Sequence, residues 1–361
     1  TFTPYLNEIV PVVTPKGCAY PNNSFFQPFD DKLPDKVDPA VFWDCESTNA
    51  QLSVVTVDAS AKWASVCFVN TGVLWDFRGE SPDPCGAFTL LSIDNHKFWV
   101  YAADGQFHSV QKVDVLNIPP GERYCAMIKL DQQGDFAIRA SSSSAPQFIS
   151  GYGVLSYNLT QTSSQNIPIP RNQTLGYGGD TIQGFTELDP MTLEVYPSTL
   201  VPPQAANKTI FLELNKLNSS ELSMSADPFS PFLELGEPLL FNPSNANSLN
   251  QNLVPSYPVG TIVDMVIQLD GGGGGHPKHP LHKHSRKAWI VGQGPDTFTW
   301  TDVASAMREH PEYFDLNRPP YRDTFHAPDS AGSASWMVIR YVADEQSTVW
   351  AISPTAGSLS L

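Results

Sequence analysis

No cysteine follows Cys125, so roughly two thirds of this 361-residue chain has neither a disulfide nor a thiolate to offer a metal or a substrate. Basic residues are also scarce: 21 Lys and Arg stand against 37 Asp and Glu, a formal net charge of -16. Such a surface repels nucleic acid and anionic membranes, and neither is expected as a partner. No apolar run reaches the length of about 18 residues that a bilayer-crossing helix needs. Long stretches of strong helix formers are missing too, whereas 32 prolines and 24 glycines punctuate the chain. Short strands joined by turns are therefore expected, in two domains of ordinary size rather than one.

The five cysteines are Cys18, Cys45, Cys67, Cys85 and Cys125. An oxidising compartment would turn them into two disulfides and one thiol. Cys18 and Cys45 lie in Pro- and Asp-rich irregular sequence, where a covalent staple helps, and are expected to pair. Cys67 and Cys125 lie in strand-like runs, where a buried thiol and a bond suit the sequence equally. Five Asn-x-Ser/Thr sequons, at Asn22, Asn158, Asn172, Asn207 and Asn218, point to the secretory pathway. The first residue is Thr1, compatible with a leader removed earlier.

Residues 1–50 read as irregular. Short β-type runs then recur at 52–58, 63–70, 88–93, 97–103, 112–118, 123–130, 135–140 and 148–156, a cadence that suggests a β-sandwich. From 158 to 206 the chain loosens into Asn, Gln, Thr and Pro and reads as a linker. A second β-rich block covers 207–361, in which Val263, Met265, Ile267 and Leu269 alternate to make one apolar face. Only 301–310 carries a convincing helical pattern, with Thr301 as the expected cap.

Four of the eight histidines, His276, His279, His282 and His284, fall within nine residues behind the glycine run 271–275. Imidazole is the commonest metal ligand, and on an extended strand His282 and His284 share a face. This spacing suggests copper or zinc. The competing readings are a strand kept because it packs and a histidine used as acid, base or hydrogen-bond donor. The loop 73–85 carries Trp75, Phe77, Arg78, Glu80 and Asp83, which suits the lining of a cleft and an ordinary surface insertion equally. His96 and His108 stand alone and read as structural.

The segment His279-Pro-Leu-His-Lys-His-Ser-Arg-Lys-Ala-Trp-Ile-Val-Gly-Gln-Gly294, followed by Asn317-Arg-Pro-Pro-Tyr-Arg-Asp-Thr-Phe325 and Trp336-Met-Val-Ile-Arg340, resembles the last cupredoxin domain of multicopper oxidases. Laccase-like enzymes of filamentous fungi are the nearest match. Upstream, Ser92-Ile-Asp-Asn-His96, Ala103-Asp-Gly105, the run 113–124 and Ile149-Ser-Gly-Tyr-Gly153 resemble the middle domain of the same enzymes. The resemblance implies an all-β chain of two cupredoxin-like Greek-key sandwiches with one or two short helices, domain one spanning 1–157 and domain two 207–361. It also implies that His279 is a type 1 copper ligand, His282 a type 2 ligand and His284 a type 3 ligand.

Two expected parts of the family pattern do not appear. Nothing resembles the first cupredoxin domain with its two His-x-His pairs. The closing His-Cys-His segment is matched by Ser353, Pro354 and Thr355, so the thiolate of a blue-copper site is missing. The expectation is a secreted, laccase-derived protein without oxidase copper centres and without a cofactor, residual copper at His279, His282 and His284 being the alternative. In the family the organic substrate lies in the cleft between the middle and last domains. An aromatic or polyketide-like molecule is therefore the expected ligand, and a cofactor-free cyclisation or cycloaddition, for instance of a quinone methide in fungal secondary metabolism, the expected chemistry. His279, Trp75, Tyr321 and Arg322 are the candidate catalytic residues, although salt bridging near the sheet competes for Tyr321 and Arg322. The rivals are a split oxidase completed by a second chain and a non-catalytic partner protein that forms a homodimer or a heterodimer with a homologous chain.

Overall fold

The computed structural model describes residues 51–70, 89–142, 150–164, 174–175, 181–216, 222–225, 241, 244, 257–269, 280–284, 286–326, 328, 334–343 and 352–354. The expected Cys18–Cys45 pair lies outside them. The chain divides between Asp189 and Pro190 into two compact units.

Unit 1 is built from β1 (Ser53–Thr56), β2 (Trp63–Val69), β3 (Thr89–Ile93), β4 (Phe98–Ala103), β5 (Gln106–Val113), β6 (Leu116–Ile118), β7 (Arg123–Lys129), β8 (Asp135–Ser142) and β9 (Ser150–Ser156). They form one sheet ordered β1-β9-β8-β3-β6 and another ordered β2-β7-β4-β5. Alternation sets the core: Phe98 and Val100 on β4 and Tyr124, Ala126 and Ile128 on β7 are fully buried. The β4–β5 hairpin turns on Asp104 and Gly105, whose φ values of 49° and 75° are those of the tight turn that matches strand twist. The sequence marks β5 only from 112 onward, because its first six residues, Gln106 to Gln111, show little apolar alternation; β5 is an edge strand of its sheet.

Cys67 and Cys125 face each other across β2 and β7 and are joined by a disulfide. This settles the choice left open by the sequence in favour of the bond, and Cys67 is exposed rather than buried. Beneath, Asp94 takes a bidentate ion pair from Arg139 at 2.8 and 2.9 Å.

The stretch 158–206 is packed, not open, where it is described. Thr186 donates to Asp114 through both backbone N and Oγ1, and Leu175 and Leu188 are buried in unit 1. Leu193 and Val195 are buried in unit 2, and Arg340 donates to the Pro203 carbonyl at 2.7 Å. Its apolar residues dock singly, so no period betrays them.

Unit 2 comprises β10 (Lys208–Lys216), β11 (Leu222–Ser225), β12 (Ile262–Leu269), β13 (Pro280–Lys283), β14 (Ala288–Pro295), α1 (Val303–Glu309), β15 (Tyr321–Arg322), β16 (Thr324–His326), β17 (Ser335–Val342) and β18 (Ile352–Pro354). A sheet ordered β11-β10-β12-β17-β14-β15 lies against a smaller one ordered β16-β13-β18. Val263, Met265, Ile267 and Leu269 form the expected apolar face and pack with Leu281 and Phe325 of the smaller sheet. On its other face the large sheet puts Val266, Trp289, Val291, Trp336 and Val338 against Val303 and Ala306 of α1. The helix starts two residues later than expected. Its cap is Asp302, whose carboxylate accepts from Ser305 N at 2.7 Å, rather than Thr301.

Candidate functional site: the histidine strand

Strand alternation dictates the site. Leu281 and Lys283 are buried, so His282 and His284 take the opposite face of β13 and its end, with ring centroids 5.0 Å apart. His282 is tethered through Nδ1, which lies 3.0 Å from the Asp323 carbonyl oxygen and 3.3 Å from Thr324 Oγ1. A carbonyl can only accept, so Nδ1 is the donor there, and in the neutral ring Nε2 is the nitrogen with the lone pair. That tethering of one ring nitrogen is the usual support of a metal-ligating histidine, and it equally suits a fixed hydrogen-bond acceptor.

Asp323 sits between β15 and β16 and holds the corner. Its Oδ2 meets Lys287 Nζ at 3.3 Å and its Oδ1 accepts from Thr324 Oγ1 at 3.2 Å. On the inner side, Lys283 Nζ donates to the Arg286 carbonyl at 2.9 Å and lies 4.7 Å from the Tyr341 ring centroid. The Tyr341 and Tyr257 hydroxyls are 2.7 Å apart, and burial, with Tyr257 beside it, pushes the Tyr341 phenol far above its ordinary range. This inner cluster keeps β13 in place.

The partner strand bears on one kind of metal site, copper held by a thiolate. β13 pairs antiparallel with β18, which places Ser353 opposite His282 and Pro354 opposite Leu281. No residue from Pro190 onward is a cysteine. A thiolate-bound copper therefore does not fit the residues of unit 2. The two imidazoles are suitable nitrogen donors, but among the described residues no group of three His, Cys, Asp or Glu side chains converges to hold an ion.

The remaining candidates are dispersed. His276, His279 and Trp75 lie outside the described residues. Tyr321 and Arg322 belong to β15 and pair with Trp289 and Ala288 of the large sheet, whereas His282 pairs with Thr324 in the small one. Tyr321 packs on Trp289 with ring centroids 4.6 Å apart, and Arg322 is buried. The structure thus brings together His282, His284, Asp323, Thr324 and Lys287. The polar groups supporting His282 escaped a reading of the sequence because they approach from a strand some forty residues away. His96 is buried and bonded at both ring nitrogens, to the Asp94 carbonyl and the Tyr157 hydroxyl, each at 2.8 Å.

Among the sequons, Asn158 is exposed and its Oδ1 accepts from Thr160 Oγ1 at 2.8 Å. Asn207 is also exposed, while its Oδ1 accepts from Ile262 N at 2.9 Å. Asn22, Asn172 and Asn218 lie outside the described residues. No helix among the described residues is long and apolar enough to cross a membrane.

Two stacked-sheet units, one bearing a His-x-His strand end, define a cupredoxin-type architecture. Profiles of multicopper oxidases match residues 85–159 and 216–354. Laccase abr2 of Aspergillus fumigatus is 32% identical over 338 residues, covering 91% of this chain and 53% of that protein. Laccase-1 of Emericella nidulans is 31% identical over 361 residues, covering 92% and 56%. The crystal structure of the Botrytis aclada laccase superposes with a TM-score of 0.55 at 18% identity, over 88% of this chain and 53% of that one. The multicopper oxidase Fet3p gives 0.53 at 18% identity, over 84% and 54%. The chain belongs to the multicopper oxidase family and is similar to its fungal laccases. It spans about half the length of the curated relatives it matches.

Proposed function

We propose that this chain is a laccase-derived protein that does not by itself oxidise substrates through copper, and that it binds a small aromatic or polyketide-like molecule. The observation that carries the proposal is the β13–β18 register, which sets Ser353 and Pro354 beside the histidine strand where the family pattern calls for His-Cys-His. Electron entry in the family needs that sulfur. What persists is a tethered imidazole whose Nε2 can accept a hydrogen bond from a phenolic hydroxyl. The reaction in keeping with such a site is a non-oxidative cyclisation or cycloaddition, in which holding the reacting ends in register lowers the entropic barrier. His279 and Trp75 remain the further candidates for contacting the ligand, whereas Tyr321 and Arg322 are taken up by the large sheet.

Secretion is part of the same proposal. It is supported by the Cys67–Cys125 disulfide and by exposed sequon asparagines at Asn158 and Asn207. The test is incubation of the purified full chain with phenolic polyketides and quinone-methide precursors in the absence of oxygen. A product whose mass equals that of its reactant, or the sum of two reactants, that forms faster with protein and is suppressed by His282→Ala supports the proposal. A product that has lost hydrogen and forms only with air contradicts it.

A second reading is a split oxidase, in which another chain supplies the missing ligands. It is favoured by the retained pair of imidazoles 5.0 Å apart and the metal-type tether of His282. Copper analysis of the protein isolated with its native partners separates the two, because only the split oxidase gains stoichiometric copper on association.

A further inference from the structure

In unit 1 the sheet β2-β7-β4-β5 buries one face and turns the other outward. The outward face is rich in apolar side chains. Phe107, Val110 and Val69 are 58%, 60% and 56% exposed, and Trp63 is 40% exposed. Trp99, Tyr101 and Met127 on the same face are half-buried. Apolar groups gathered in this way mark an interaction surface, unlike the scattered singles of an ordinary exterior.

Register sets these groups in order. Ser65, Met127, Trp99 and Lys112 are direct partners on β2, β7, β4 and β5, a row that crosses the whole sheet. Trp63 meets Trp99 edge to face with ring centroids 4.9 Å apart, and Tyr101 stacks on Phe107 at 6.2 Å. Ser65 Oγ and Tyr101 Oη are 2.8 Å apart; one hydroxyl hydrogen makes that bond and the other is left for a neighbour. Charge then selects the occupant. Among the described residues of these strands, the cations on this face are each answered: Lys112 Nζ lies 5.0 Å from the Trp99 ring centroid, Lys129 meets Asp131 at 2.7 Å and Arg123 meets Asp104 at 3.3 Å. The face therefore favours a neutral partner. A second copy of the chain brings its own net charge of -16 and is repelled, as is an acidic polymer.

We infer that this face is a docking surface for a neutral polysaccharide of flat, β-linked rings laid across the strands. The aromatic side chains lie against the C–H faces of its sugars, and the Ser65 and Tyr101 hydroxyls bond its hydroxyls. Adjacent strands are about 4.8 Å apart, close to the length of one pyranose ring, so each strand sets a side chain beneath one sugar. Rings whose hydroxyls are equatorial leave both faces apolar, and exposed indole and phenyl groups match such faces. The surface belongs to unit 1, whereas the histidine strand and the function proposed for it belong to unit 2.

Calorimetric titration of the full chain with cellohexaose tests it, with polygalacturonate and a soluble lignin as acidic and phenolic controls. Cellohexaose should bind and shift the tryptophan fluorescence. Trp63→Ala and Phe107→Ala should each weaken binding by about tenfold, the size expected for one lost ring contact, with little change in melting temperature. Should Trp63→Ala melt early, Phe107→Ala carries the test alone, its ring being the more exposed. Val259→Ser, at an exposed apolar position of unit 2, should bind as the parent does. Absence of cellohexaose binding overturns the inference, as does undiminished binding in Phe107→Ala. A preference for lignin or polygalacturonate that is lost in the ring variants overturns it in favour of a phenolic or an acidic polymer. Light scattering that shows dimers of the parent and monomers of Phe107→Ala overturns it in favour of a second copy.

Discussion

Arg340 and Asp264 form an ion pair at the centre of unit 2, each side chain only 2% exposed. Nε and Nη2 of Arg340 meet the two carboxylate oxygens at 2.6 and 2.8 Å, and Nη1 reaches the Pro203 carbonyl at 2.7 Å. Asp264→Ala leaves the guanidinium buried with one carbonyl for company. Breaking a buried pair in this way costs about 3–5 kcal/mol. In a domain of this size each kcal/mol moves the midpoint by roughly 2–4 °C, so unit 2 should melt roughly 10 °C lower. Calorimetry with urea denaturation measures both quantities. The double variant Asp264→Leu with Arg340→Met removes both charges and should recover most of the loss, because the burial penalty goes with them. A single-variant loss below about 1 kcal/mol would refute the reasoning, since that is the behaviour of an exposed pair.

Replacing Cys67 and Cys125 by serine opens a covalent loop with a sequence separation of 58, and the loop-entropy relation puts the loss at about 4 kcal/mol in denaturant titrations. His96 is held below its ordinary pKa by burial, which outweighs its bond to the Asp94 carbonyl. The unfolded chain then binds the extra proton first, so unit 1 should lose stability as pH falls through about 6.5 and onward to the lowered folded value. His96→Gln should flatten this part of the stability profile; an unchanged slope would assign the effect elsewhere. Gly294 has no room for a Cβ against the Trp336 indole, so Gly294→Ala should cost about 1–3 kcal/mol through overpacking, read by thermal melts.

Much of the fold was legible because alternation is a local signal. Val263 to Leu269 declared a buried strand, and the spacing of turns in 52–156 declared a sandwich. What failed was whatever depends on distant partners. The first part of β5 is recognisable only once β4 pairs with it, and the packed stretch 158–206 anchors through single residues such as Leu188 and Val195. Asp302 displaced Thr301 as the helix cap because the carboxylate, one residue later, is the group that reaches Ser305 N. At the histidine strand the ligand-type residues could be read from spacing, whereas the tether on His282 could not, since Asp323 and Thr324 reach it from another strand. The identity of Pro354 was visible in the sequence; its position beside Leu281 needed the register.

The most direct test is to load the purified full chain with cupric ion, remove the excess, and record metal content, visible absorption and oxygen uptake with a simple phenol. The account expects a colourless or faintly coloured protein without the intense blue of thiolate-bound copper, and oxygen consumption no faster than the buffer. A deep blue protein that consumes oxygen with the phenol would contradict it.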